Sequence, residues 1–207
     1  DDDNVQAAVN VACRQMIRRM QELGPFPNLE EKLVHLQNKV EEDYNMLRFL
    51  RGLSKGLLKD PDKKYDYLSE GLWSTFHPPE AYNVEGIGIY KAESPRGLRH
   101  IAGNDGRGKF YPFSINDGRK AGERIVVVDC FLNNEEQVLL KDQYIDHQYV
   151  FCYPIPQVMV ITIAITGRKK LSGKDIDAIF LKNHDLMKSV HYLFGGHENG
   201  EPYQLDQ

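Results

Sequence analysis

The chain has 207 residues, 26 of them Lys or Arg against 30 Asp or Glu, for a formal net charge of -4. With 41% hydrophobic and 27% charged residues it has the composition of a folded globular protein and not of a disordered one. The acidic balance disfavours a dedicated nucleic-acid binder, which carries a basic face, and the longest apolar run, Val158 to Ile165 with Thr162 inside it, is far short of the ~20 residues of a membrane span.

The first 80 residues read as helices. Val5, Val9, Ala12, Met16, Met20 and Leu23 recur at steps of three and four, the spacing of one helix face. Gly24-Pro25-Phe26-Pro27 interrupts it, and Asn28 with Glu31 three residues on resembles a capping box. The next apolar face, Leu29, Leu33, Leu36, Val40, Tyr44, Leu47 and Leu50, is longer, and Gly52 and Gly56 are expected to weaken its end. Such a stripe either packs within the chain or forms the seam of a homodimer. A third, shorter helix holds Tyr65, Leu68, Leu72, Trp73 and Phe76 and stops at His77-Pro78-Pro79.

Strand signals follow. Glu85 to Ala92 alternates through Ile87 and Ile89, and Ser94-Pro95-Arg96-Gly97 turns the chain into Leu98 to Ile101. Gly103 to Gly106 is a loop, Phe110 to Ile115 a short strand or, if Pro112 denies it a ladder bond, a mobile segment, and Asn116-Asp117-Gly118 a turn. Arg124 to Leu132, with Ile125-Val126-Val127-Val128, is expected to be a strand buried on both faces. Gln137 to Tyr144 fits a strand or a helix. Tyr149 to Tyr153 and Val158 to Thr166 pair about Pro154-Ile155-Pro156-Gln157, and Ser172 with Asp175 caps a final helix running to Phe194, before Gly195-Gly196.

Helices, then strands, then a closing helix predict an α+β fold: N-terminal helices, an antiparallel sheet of about five to six strands and a C-terminal helix. The expected organisation is a helical region over 1–80, an α+β domain over 81–195 and a polar tail over 196–207. Cys13, Cys130 and Cys152 show no metal-binding spacing, and free thiols point to a reducing, cytoplasmic setting. The opening Asp1-Asp2-Asp3, without Met, reads as a processed chain, and no basic-then-apolar leader precedes the first helix.

The stretch from Tyr149 to Phe194 resembles the end of a GAF domain. Tyr149-Val150-Phe151-Cys152-Tyr153-Pro154-Ile155 matches that family's strand with an apolar-Pro-apolar end. Val158 to Ile165 matches its apolar strand, and Leu171-Ser172-Gly173-Lys174-Asp175-Ile176 its capped closing helix. Glu85 to Tyr90 resembles its first strand, and the related PAS and Cache folds share much of the pattern. The resemblance implies a small-molecule sensor or dimerisation module with a ligand pocket on one sheet face. Cys130 and Cys152 are followed by Phe131 and Tyr153 and not by His, which speaks against a covalent bilin. Asn133-Asn134-Glu135-Glu136 does not match the motif of cyclic-nucleotide binders. The sequence names no cofactor.

Aromatic and polar residues near strand ends give the ligand-binding candidates: Tyr90, His100, Phe113, Asp129, Tyr144, His147 and Tyr149, with Arg107 and Arg119 for an anionic ligand. The pocket is expected between the sheet and the segments 107–120 and 133–147. The glycine-rich run Gly103 to Lys109 has no GKS/T ending and is not a nucleotide phosphate loop. The leading expectation is a cytoplasmic, non-enzymatic sensing or regulatory domain, with a homodimer through the N-terminal helices and no nucleic-acid or membrane partner. The alternatives are an interaction module without ligand and a small hydrolase built on Cys130 or His147.

Overall fold

A computed structural model of the chain describes residues 11, 14–15, 18, 27–93, 97–104, 108–113, 125–142 and 146–195. The expected first helix lies almost wholly outside the described residues. So do the turn residues 94–96, the turn Asn116-Asp117-Gly118, the tail from His197, and the site candidates Arg107, Arg119 and Tyr144.

The chain divides into two compact units, 1–50 and 51–207, with the border inside helix α1 (Pro27–Lys59). In the first unit the described members of the predicted stripe include Leu36, Val40 and Leu47, all solvent-exposed. In the second unit α1 continues through Gly52 and Gly56, where its end was expected. A Cβ at Gly56 would lie 2.6 Å from the Tyr67 ring, so the missing side chain makes room for an aromatic of the next helix. A 3₁₀ turn, Pro61–Lys63, leads into α2 (Lys64–Thr75), which buries Leu68, Leu72 and Thr75. Phe76 is already extended, with Pro78 and Pro79 denying any continuation. Because α2 packs against the first two strands, the 51–207 unit includes this helix together with the sheet.

Among the described residues six antiparallel strands follow: β1 (Tyr82–Glu93), β2 (Gly97–Gly103), β3 (Phe110–Pro112), β4 (Gln137–Asp142), β5 (His147–Ile155) and β6 (Met159–Gly167). Their order in the sheet is β3-β2-β1-β6-β5-β4. With α3 (Val126–Asn133), α4 (Gly173–Lys182) and α5 (His184–Phe194), the chain is α+β, with helices before and after the sheet. The ambiguous stretch from Gln137 is strand β4. Strand β6 lies between β1 and β5, which explains why its alternation of Ile and smaller residues is apolar on both faces.

Register assigns the two faces. Ile87 opposes Ile163, Ile89 opposes Ile161, and Phe151 and Tyr153 oppose Ile163 and Ile161 from the other side. This face carries α4 and the end of α2: Phe180 of α4 meets the rings of Phe151 and Tyr153 at 5.1 and 5.3 Å, and Phe76 meets Tyr153 at 6.4 Å. The alternate residues Tyr90, Val150, Cys152, Val160 and Ala164 face the other way and form a second buried cluster with Leu98 and with Val126, Val128 and Cys130 of α3.

Two elements differ from the sequence reading. Arg124 to Leu132 was expected as a buried strand, but Val126 to Asn133 is helix α3. Its β-branched run favours a strand locally, yet Val126 and Cys130, four residues apart, point together into the cluster, and burial of that helical face outweighs the local preference. The expected single closing helix is two, broken at buried Asn183. Its side-chain oxygen accepts the His77 N–H at 3.0 Å, and its amide donates to the carbonyls of Ile179 and His77 at 2.9 and 3.3 Å. The predicted start of α4 holds: the Ser172 hydroxyl accepts the Asp175 N–H, and Asp175 accepts the Ser172 N–H at 2.8 Å.

Candidate functional site

A cavity of about 230 Å³ lies on the sheet face that carries α3. Its sheet wall comes from Tyr90, Val150, Cys152 and Thr162, which the register brings onto neighbouring strands β1, β5 and β6. Small residues keep the sheet surface low here. Thr162 pairs with Gly88 and Ala164 with Gly86, so no β1 side chain stands directly opposite either residue. Ile125, Val126 and Val127 form the wall opposite, at the start of α3, where the N-cap residue Ile125 supplies no side-chain cap. Leu139 and Lys141 of edge strand β4 close one side, and Lys109 and Tyr111 close the other. Both lysines are solvent-exposed, so the cavity meets solvent where they stand.

The lining mixes apolar residues, Ile125, Val126, Val127, Leu139 and Val150, with Tyr90, Tyr111, Thr162 and the two lysines. Tyr90 is buried and held by two ring contacts, to His100 at 5.2 Å and to Tyr111 at 5.6 Å. The Thr162 hydroxyl donates to the Gly88 carbonyl at 3.3 Å. Cys130 lies fully buried in the adjoining cluster. Burial, with smaller contributions from Cys152 and Glu136, pushes its thiol far above the ordinary range, so it stays protonated and unreactive at neutral pH. On the other sheet face the hydroxyls of Tyr82 and Tyr153 are buried without a hydrogen-bond partner among the described residues. Burial raises the pKa of both phenols, which remain neutral.

Of the nine candidates from sequence, Tyr90 lines the cavity. His100 is one layer out, ring to ring with Tyr90, and Phe113 packs on Phe131 of α3 at 5.2 Å beside the same cluster. Asp129 sits on α3, outside the lining. His147 and Tyr149 alternate with Val150 and Cys152, so they face the opposite side of the sheet. There the Tyr149 hydroxyl accepts the Leu171 N–H at 2.8 Å and its ring meets Tyr82. Cys130 and His147, the two residues on either of which a hydrolase was considered, therefore belong to opposite sides of the sheet.

Sequence reasoning missed Lys109, Tyr111, Lys141, Val150, Cys152 and Thr162, along with the helix start at Ile125. Alternation already placed Val150 and Cys152 on one face of their strand. Linking that face to Tyr90 and Thr162 required the pairing register. Among the described residues no group of three or more His, Cys, Asp or Glu could hold a metal ion, and no helix is long and apolar enough to cross a membrane. No protein-family model, curated protein or solved structure matches the chain.

Proposed function

We propose that this chain is a cytoplasmic, non-enzymatic sensing or regulatory domain of GAF-like type, which binds a small molecule in the cavity between the sheet and α3. The observation that carries the reading is the cavity itself: a hollow of about 230 Å³ on one sheet face whose lining combines Val, Ile and Leu side chains with Tyr, Thr and Lys. The pattern from Tyr149 to Ile176 supports it, since it forms a strand pair, a loop and a capped helix in the order that the GAF resemblance implies. The buried, protonated Cys130 and its separation from His147 favour binding over hydrolysis.

The test is thermal melting across a set of common metabolites, with Val150→Phe as the control. A ligand at about a hundred times its Kd stabilises by about 2.7 kcal/mol, which raises Tm by roughly 5–10 °C in a domain of this size. Val150→Phe fills the cavity from the sheet side and abolishes the shift while keeping its own cooperative melt. A shift that survives in Val150→Phe places the ligand elsewhere, and no shift across the set removes the small-molecule reading.

A second reading, an interaction module that forms a homodimer through its N-terminal helices, is favoured by one observation. Leu36 is 54% and Leu47 65% exposed on the α1 stripe, which is apolar surface suited to an association seam.

A further inference from the structure

We infer that helix α1 is the contact surface for a second copy of this chain, and that the two α1 helices pair antiparallel across a twofold axis at Leu47. The inference rests on the homodimer reading above and adds the orientation and the residues of its seam. Spacing comes first. Leu36, Leu47 and Leu58 repeat every 11 residues along α1. Eleven residues come close to three full turns of an α-helix, so all three stay on one side of it with little supercoiling. Val40, Asp43, Arg51 and Ser54 fill the gaps, and all of these positions fall within about 40° of Leu47 around the helix.

Exposure comes second. Every member of this stripe is solvent-exposed, Leu47 at 65% and Leu58 at 88%. Phe49 and Leu53 of the same helix are buried, and they lie about 120° or more from Leu47 around it. The stripe therefore runs along the side of α1 away from these buried residues, and four of its members are large apolar side chains.

Symmetry comes third. The stripe is palindromic about Leu47, with members 4, 7 and 11 places away on either side. Antiparallel pairing sets each member against its mirror position in the second copy. Leu36 then meets Leu58, Val40 meets Ser54, and Leu47 meets Leu47. The one acidic member, Asp43, meets the one basic member, Arg51, and the twofold makes that ion pair twice. A parallel, in-register pair would instead set Asp43 against Asp43 and Arg51 against Arg51. An unrelated apolar helix would cover the leucines but would give no reason for opposite charges at equal distances from Leu47. A second copy supplies that reason, because a twofold interface must be complementary to itself.

Sedimentation equilibrium at low ionic strength tests this on wild type, Asp43→Arg, Arg51→Asp and the double exchange Asp43→Arg/Arg51→Asp. Wild type is expected at twice 23.8 kDa. Each single substitution turns both ion pairs into like-charge contacts and is expected to weaken the dimer by roughly tenfold or more, while the double exchange restores wild-type affinity. Each single substitution changes the formal net charge by two, from -4 to -2 in Asp43→Arg and to -6 in Arg51→Asp. A loss shared by both therefore cannot come from overall repulsion. The substitutions fall at exposed positions, so the variants fold. A dimer indifferent to both single substitutions, or losses that the double exchange does not repair, overturns the antiparallel seam and leaves the homodimer reading standing. A wild-type mass of 23.8 kDa overturns both.

Discussion

Replacing Gly103 with Ala tests whether the end of β2 is held as the backbone geometry requires. Gly103 has φ +90 and pairs with Gly88 of β1. A Cβ placed there would sit 2.1 Å from the Ile87 carbonyl oxygen and 2.8 Å from its carbon. Those atoms cannot give way, because Ile87 is also paired to Ile163 of β6, inside the sheet. The chain at Gly103 must move instead, at the expense of two bonds beside it: Asn104 N–H to the Ile87 oxygen, and Ile87 N–H to the Asn104 side-chain oxygen, both 2.9 Å. The positive φ costs about 1–2 kcal/mol for a non-glycine residue, and each lost hydrogen bond about 1 kcal/mol, so about 3–4 kcal/mol is expected. That corresponds to a fall in Tm of roughly 6–15 °C.

Gly108 supplies the comparison. It has φ +75, but among the described residues nothing lies within 4 Å of a Cβ there. Gly108→Ala keeps only the conformational cost, partly offset by the smaller entropy of the unfolded alanine chain, so its Tm falls by roughly 2–4 °C. Calorimetry and urea titration on both variants decide it, with midpoints shifting at constant m. Equal losses in the two variants, or a smaller loss for Gly103→Ala, would refute the packing of Gly103 against β1.

Cys130 and Cys152, both buried, are expected to resist iodoacetamide in the folded protein and to label only on unfolding, as peptide mass spectrometry would read; rapid labelling of the Cys130 peptide in native buffer would contradict the burial that raises its thiol pKa. Ser172→Ala removes the cap of α4 and lowers Tm by about 2–4 °C at neutral pH. Hydrogen bonds from the Ser172 backbone and side chain lower the Asp175 pKa, so the stabilisation by this carboxylate is complete above the ordinary carboxyl range and lost as pH falls through the lowered value. The gap between wild type and Ser172→Ala should therefore narrow in acid, and a gap that widens there would refute the assignment. In the dimer reading, sedimentation equilibrium gives wild type twice 23.8 kDa and Leu36→Glu the monomer mass, since charge in an apolar seam is costly; a wild-type mass of 23.8 kDa would refute the seam.

Much of the fold was legible because its signals are local. Pro78 and Pro79 stop α2 wherever the chain folds, Ser172 and Asp175 cap α4 with their own backbone, and Ile87 and Ile89 alternate within a single strand. The strand reading of Ile125 to Val128 failed because β-branched residues favour extended chain only until burial offers more. Val126 and Cys130 reach the cluster together only as a helix. Asn183 gave no warning of a helix break, since its partner His77 lies 106 residues away in sequence. The candidate site was less legible still. Alternation divides each strand into two faces but does not say which face of one strand joins which face of the next. Tyr90 and Tyr149 looked alike in sequence, yet the register of β1, β6 and β5 puts one in the cavity and the other under Leu171. Composition, periodicity and capping are properties of neighbouring residues, and the sequence by itself determined those. The cavity exists where distant segments fail to fill a space between them, and only the packed tertiary structure decided that.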